Sequence, residues 1–365
     1  MVLHLPQIGA TQSPWKSKER LMMRKYRAAL LLALVVAAVA VGMKKSDSPG
    51  KQMRVFADAF IATLDDNQKG VALMPYDSPK RVDWHFIPKK SRKGLVLSEM
   101  NEAQRTAALR LVRSALSEAG YDKTSKIMML EGVLREMEGD GRNWARDPEM
   151  YYVTLFGEPS DSEAWGLSFE GHHVSLNFVC RGGEVVDSTP QFFASNPSIV
   201  KNEVSGPLGK GARVLRSEEV LAFELVNSLT PDQLKQAMIA DEAPAEIRFA
   251  GEVQAKVGDP EGIVFSDLKI KQQASLKKLV GVYIDAVAGP VAKERRALIR
   301  QAGWKNVHFA WAGATKPGIG HYYRVRGDGF LIEFVNTQAD PAGNPANHIH
   351  CVWRDLTGDF DLEIE

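Results

Sequence analysis

At 365 residues, 44% hydrophobic and 25% charged, the chain has the length and composition of a globular protein with room for a large core, which excludes extensive disorder. Its 46 Lys and Arg nearly balance 45 Asp and Glu, so no global basic field draws it to nucleic acid or to an anionic membrane, and no local basic patch is evident. Cys180 and Cys351 are too few for a disulfide scaffold; they either pair once or serve as two small buried hydrophobes.

The N-terminus is the least ordinary stretch. KSKERLMMRKYR precedes an apolar run from Ala28 to Met43, with the small-residue triplet Ala38-Val39-Ala40 inside it and Lys44-Lys45 after it. A basic segment, an apolar segment and small residues are the pattern of a secretory signal, and the run is shorter than the roughly 20 residues that span a bilayer. Export is therefore expected, to the periplasm or the extracellular space, with a retained N-terminal anchor as the alternative. The first twenty residues read as an upstream extension, with Met22 or Met23 as plausible starts, and Ser46 to Lys51 as a polar linker.

From residue 48 onward the chain reads as one domain in which a pattern occurs twice. RVDWHFIP at 81–88 and GLVLSEM at 94–100 return as EIRFAGEV at 246–253 and GIVFSDL at 262–268. Helices follow in each copy: SEMNEAQRTAALRLVRSAL behind an N-cap at Ser98 and KTSKIMMLEGVLREME in the first, SDLKIKQQASLKKLVGVYIDAVAG and KERRALIRQAG in the second. The hairpin patterns WGLSFEGHHVSLNFV and HYYRVRGDGFLIEFV then align, so that Gly171 falls on Gly327 and Asn177 on Glu333. The copies span about 81–180 and 246–336, joined by a connector, 181–245, with helix caps at Ser217 and Thr230. Helices before strands, without βαβ alternation, predict an α+β fold, an internally duplicated and pseudo-symmetric unit of helix pairs and antiparallel strands. The segment 337–365 supplies a last strand, HIHCVWRD, and an acidic tail.

Five blocks in order, FEGHHVSLNF, TPQFFASNP, EEVLAFELVNSLT, HYYRVRGDGFLIEFVNTQ and NHIHCVWRDLTGDF, make the chain similar to the uncharacterised family known as domain of unknown function 3500. The resemblance runs from about residue 50 to the C-terminus and implies a shared architecture but no activity or catalytic residues. Against the family pattern, ADPAGNPA before NHIH is an insertion, which leaves open how His348 and His350 approach the preceding strand.

The chemistry must therefore come from the residues. On a strand His348 and His350 share one face, together with Val352 and Arg354. With His321, which opens the strand HYYRVRG, they form a reasonable ligand set for a divalent transition metal, Zn, Cu or Fe, although such pairs also serve only as hydrogen-bonding groups. Glu333 is the expected ligand or general base, and His173, the polar-face member of the His172-His173 doublet, the expected contribution of the other copy. Asn177, Asn336, Gln338 and Asn347 are further polar candidates for the same cleft, against a purely loop-bracing role. Arg354 is expected to pair with Asp355 and anchor the strand. Trp84, Trp165 and Trp311 read as core.

The chain lacks GxGxxG, GxxxxGK[ST], CxxC, HExxH and GxSxG, which removes support for nucleotide-cofactor, zincin and α/β-hydrolase chemistry. The expectation is an extracytoplasmic enzyme with a His-rich, metal-binding site acting on a small polar molecule. The alternative is a non-catalytic periplasmic or surface binding protein for a small polar ligand or a protein partner, in contact with a membrane only through an uncleaved N-terminus.

Overall fold

A computed structural model describes residues 48–139 and 146–363; the basic and apolar N-terminal stretch on which export is expected and the tip of the MEGDGRNWARDPEM loop lie outside them. The end of the expected linker is instead the start of helix α1 (Pro49–Ile61), with Pro49 in the first turn, where its missing N–H costs nothing. Gly50 is pressed against the Gly183 backbone, 2.5 Å from where a Cβ would stand, so only glycine fits. Helix α2 (Asp66–Ala72) follows behind a capping box of Asp65 and Gln68 and leads into strand β1 (Leu73–Met74).

The first series continues with β2 (Leu95–Val96), α3 (Glu102–Ala115), α4 (Glu118–Glu138), β3 (Tyr152–Phe156), β4 (Trp165–Gly171), β5 (Val174–Arg181), β6 (Glu184–Asp187) and β7 (Gln191–Ser195). A second series repeats most of that order: α5 (Arg216–Val226), α6 (Pro231–Ala237), β8 (Met238–Ala240), β9 (Ile263–Val264), α7 (Ile270–Ile284), α8 (Gly289–Ala302), β10 (His308–Gly313), β11 (His321–Arg326), β12 (Phe330–Gln338) and β13 (His348–Asp355). The α+β expectation holds, with eight α-helices and a mixed thirteen-stranded sheet among the described residues. None of these helices is long and apolar enough to cross a membrane.

The caps differ in detail from the sequence reading. Ser98 lies in a single 3-10 turn, and the N-cap of α3 is Asn101, whose side chain accepts from Gln104 N–H. Ser217 lies inside α5, whereas Thr230 caps α6 as expected.

The sheet order is β1-β3-β4-β5-β7-β13-β12-β11-β10-β8. Each outer edge carries a short parallel partner, β1 on β3 and β8 on β10, and the two series meet where β7 pairs antiparallel with β13. The recurrence extends to side chains. Gln104 donates to Thr63 O and Gln68 Oε1 at 2.9 and 2.7 Å, and Gln272 donates to Ser228 O and Gln233 Oε1 at 2.7 and 2.9 Å. These contacts tie α2 to α3 and α6 to α7, elements partly outside the two segments matched in the sequence.

The helices cover one face of the sheet over the main core, in which Leu111, Leu279, Phe169, Phe309 and Tyr323 are fully buried. Residues 82–93 and 241–262 cover the opposite face. They are irregular, and they pack Trp84, Phe86 and Ile247 on Phe192, Tyr322 and Val352. Trp165 and Trp311 are fully buried, as read from the sequence. Cys180 and Cys351 are both buried free thiols, the first in contact with Met53.

On the helical side the two series touch corner to corner: Ser117 N–H donates to Ala286 O and Ala288 N–H to Ala115 O, both at 3.1 Å. A Cβ on Gly120 would fall 1.9 Å from Ala286 O, so Gly120→Ala must push the corners apart. The expected cost is about 1–3 kcal/mol, as for overpacking generally, read by urea denaturation. Asp187, at the end of β6, accepts from Ser188 N–H, Thr189 O–H and Asp361 N–H and so pins the C-terminal segment. Burial, reinforced by Asp359, pushes its carboxyl from 3.8 up to about 8. The folded protein thus holds a proton there that the unfolded chain releases, and this contribution to stability, complete below pH 3.8, is lost as pH rises towards 8. Asp187→Asn is expected to flatten that decline in melting experiments across the same range.

Candidate metal centre

Three imidazoles converge on the covered face near the β7–β13 seam. His348 Nε2 lies 2.9 Å from His173 Nε2 and 3.0 Å from His350 Nε2. The three ligand atoms all lie within 4.8 Å of one another. His173 and His350 are buried and His348 is partly exposed.

Each histidine is placed by a different feature of the chain. His348 and His350 alternate along β13 and therefore share a face. His350 sits between Val335 of β12 and Ala194 of β7, and His348 opposite Gln338 across a bulge, so the ADPAGNPA insertion does not displace the strand. Asp340 closes that insertion on itself, accepting from Ala342 and Asn344 N–H and from the side chains of Asn344 and Asn347. His173 belongs to no strand. It is the second residue of the two-residue turn between β4 and β5, with φ +68°, the left-handed region that turns require. Its N–H donates to Phe86 O and its carbonyl accepts from Ala194 N–H, both at 2.9 Å, which fixes the turn over β7. The expected opposition of His172 and His173 as strand neighbours is thus replaced by a turn in which their rings stack at 3.6 Å.

The surroundings favour neutral imidazoles. Burial, and then the neighbouring imidazoles, hold His173 and His348 well below the ordinary histidine value. Glu246 lies 2.7 and 2.8 Å from His350 Nδ1, so an N–H there donates to the carboxylate and Nε2 is the ring nitrogen turned to the other two histidines. A carboxylate behind a histidine is how proteins orient metal-bound imidazoles. Phe86 and Phe192 hold the same ring edge-on. Beside the cluster, His172 Nδ1 meets Glu131 Oε1 at 2.5 Å and Arg146 at 3.0 Å, and Arg146 continues to Glu138. Burial lowers the His172 pKa, against the opposing pull of Glu131.

Other residues singled out in the sequence lie elsewhere. His321 pairs with Asn336, which pairs with Ile349, so its ring projects from the opposite face to His348 and His350 and takes no part in their group. There it stacks on Trp311 and Phe334, its Nδ1 meets Ile319 O at 2.8 Å, and its Nε2 lies 3.3 Å from Glu219, close enough for an ion pair but not aligned as a hydrogen bond. Burial raises the Glu219 carboxyl, but His321, Asn336 and Arg213 outweigh it and leave it below its usual value.

Glu333 does share the His350 face, opposite Val352, yet its hydrogen bonds go to Tyr322 O–H at 2.5 Å and Arg248 N–H at 3.4 Å and not to a histidine. Burial raises its pKa. Asn177, its counterpart in the other series, donates to Pro190 O and Ser175 Oγ, so the two do not line a shared cleft. Asn336 accepts from His348 N–H and donates to Glu219, bracing β13 from behind. Gln338 and Asn347 bind Ala245 and Ile199 carbonyls and brace loops. Arg354 pairs with Asp359 at 2.7 Å, not with Asp355, because Asp355 turns to Thr357. Glu246, Glu131 and Arg146 were not anticipated. Glu246 heads the segment EIRFAGEV, but nothing in its spacing points to a histidine 104 residues away.

Fold and site together define an α+β protein with a buried three-histidine group able to hold a metal ion. The model of the family described as protein of unknown function (DUF3500) matches residues 46–362, and the chain belongs to that family. No curated protein and no solved structure matches it.

Proposed function

We propose that this protein is an extracytoplasmic metal-dependent enzyme in which His173, His348 and His350 hold a divalent transition metal through their Nε2 atoms. The observation that carries the reading is the convergence of three such nitrogens within 3.0 Å along each side shared with His348, with Glu246 already bound to the far nitrogen of His350. Three lone pairs facing one point repel one another unless a proton or a cation lies between them, and burial disfavours the protonated form. Nitrogen ligands suit Zn, Cu and Fe, and three protein ligands leave coordination positions for water or a substrate. Bound there, the ion would supply Lewis acidity to a small polar substrate. His350 is oriented by Glu246, His173 is held by its turn, and His172, fixed by Glu131, is the adjacent imidazole that the ion does not need. Export rests on the basic and apolar N-terminal pattern. The recurring element order supports descent by internal duplication, with His173 supplied by the first copy and His348 and His350 by the strand that follows the second.

Two outcomes test the reading. Purified without a histidine tag and offered Zn, Cu and Fe separately, the protein is expected to bind about one equivalent by mass spectrometry. His348→Ala/His350→Ala and His173→Ala should lose it, whereas His321→Gln, with its ring on the other face, should keep it. Absence of metal from the parent protein after reconstitution would refute the proposal. Glu246→Gln is expected to retain the fold and weaken metal binding by about 10- to 100-fold, measured by competition with a chelator.

A further inference from the structure

Just past the end of β7, the seam brings one more polar group beside the histidines. β7 and β13 pair Ala194 with His350 and Ser195 with Ile349, so the next step of the same register sets Asn196 opposite His348. The backbone keeps the two segments together beyond that point: Ser198 N–H donates to Asn347 O at 2.7 Å, and the Asn347 side chain bonds Ile199 N–H and Ile199 O at 2.9 and 3.0 Å. Side chains alternate in direction along extended backbone. Ala194 lies on the covered face with His350 and Ser195 on the other with Ile349, so continuing the alternation by one residue returns Asn196 to the face of His348 and His350.

Asn196 is 7% exposed, and its Oδ1 is buried with no hydrogen-bond donor among the described residues. A buried amide oxygen without a partner is costly, and in a folded protein it marks the place of a partner that the chain itself does not supply, a water or an ion. The neighbouring amides are satisfied at both ends: Asn336 accepts from His348 N–H and donates to Glu219, and Asn347 accepts from Ile199 N–H and donates to Ile199 O and Asp340. Asn177 Oδ1 is also unpartnered, but it lies opposite Ser168 on β4, away from the three histidines. Asn196 alone combines an unpartnered oxygen with a place beside converging ligand nitrogens.

We propose that Asn196 is the fourth protein member of the metal centre, its Oδ1 the oxygen donor to the ion held by His173, His348 and His350; the inference rests on the metal reading given above. A carboxamide oxygen is a neutral donor, as the imidazoles are, so a set of three nitrogens and one oxygen leaves the full charge of the ion to act on a polar substrate. Zinc that expands its coordination, or iron, still has an open position for that substrate.

The test compares the full chain with Asn196→Ala, Asn196→Asp and Asn177→Ala by chelator competition for Zn and by the visible absorption bands of Co(II) bound in its place. Asn196→Ala is expected to keep about one equivalent of metal, to hold it about tenfold or more weakly, and to shift the Co(II) bands. Asn196→Asp, which retains an oxygen and adds a charge, should bind at least as tightly as the parent, also with shifted bands, whereas Asn177→Ala should change neither reading. Should Asn196→Ala fail to fold, Asn196→Asp decides alone, because a carboxylate placed away from the ion would leave the bands where they are. A parent that binds metal, together with an Asn196→Ala protein of the same affinity or the same spectrum, would overturn this inference and leave the metal reading standing. So would an Asn177→Ala protein weakened as much as Asn196→Ala. A parent that binds no metal would overturn both.

Discussion

The antiparallel pairing of β7 with β13 joins the two halves of the sheet through five residue pairs, from Gln191↔Trp353 to Ser195↔Ile349. Backbone hydrogen bonds set this register, and side-chain direction follows from it with a period of two. A slip by one residue would turn His348 and His350 to the helical face and bring Ile349 and Cys351 to the other. On its other edge β7 pairs with β5, and there Ala194 N–H donates to the carbonyl of His173, so β7 lies between the turn that carries His173 and the strand that carries His348 and His350. The bulge between Asn336 and Gln338 matters for the same reason: it lets the chain resume pairing at His348 after a nine-residue excursion from residue 339 to 347.

Much of this was legible in the sequence, for reasons that differ by residue. The two helix-and-hairpin patterns were readable because amphipathic spacing and glycines at turns are local properties. The alternation His348, Ile349, His350 survived for the same reason. His321 failed as a ligand because strand parity says which residues share a face within one strand but not which face of a sheet that is; only the register across β11, β12 and β13 decides it. His173 lies in a turn and not on a strand face because a Gly-His-His stretch between strands reads equally as strand or as turn. Glu246 was invisible because a carboxylate that supports a ring from an irregular segment leaves no periodic mark. Arg354 was rightly read as structural, but its partner lies beyond a turn that the sequence does not draw.

Burial explains why the centre is confined to so few groups. His173 and His350, buried beside a hydrophobic cover of Trp84, Phe86 and Ile247, carry a desolvation cost that mutual hydrogen bonding or a cation offsets. A second buried polar network, around Glu219, His321 and Asn336, solves the same problem differently: a lowered carboxylate accepts from an amide and lies 3.3 Å from an imidazole. The two networks meet at Asn336, which braces the backbone of His348 from the opposite side of the sheet. The covered face therefore carries the converging nitrogens, and the helical face carries their support.

The turn that carries His173 has a consequence for how the centre comes into being. In sequence His173 stands 175 residues from His348, and the chain between them includes α5, α6, α7 and α8. Closing so long a loop carries an entropic cost that contacts within β13 do not. A chain still extended offers only the His348/His350 pair, a two-nitrogen fragment with Glu246 elsewhere. The full set of three exists only where β7 is paired on both edges, so the completeness of the centre reports the completeness of that part of the sheet.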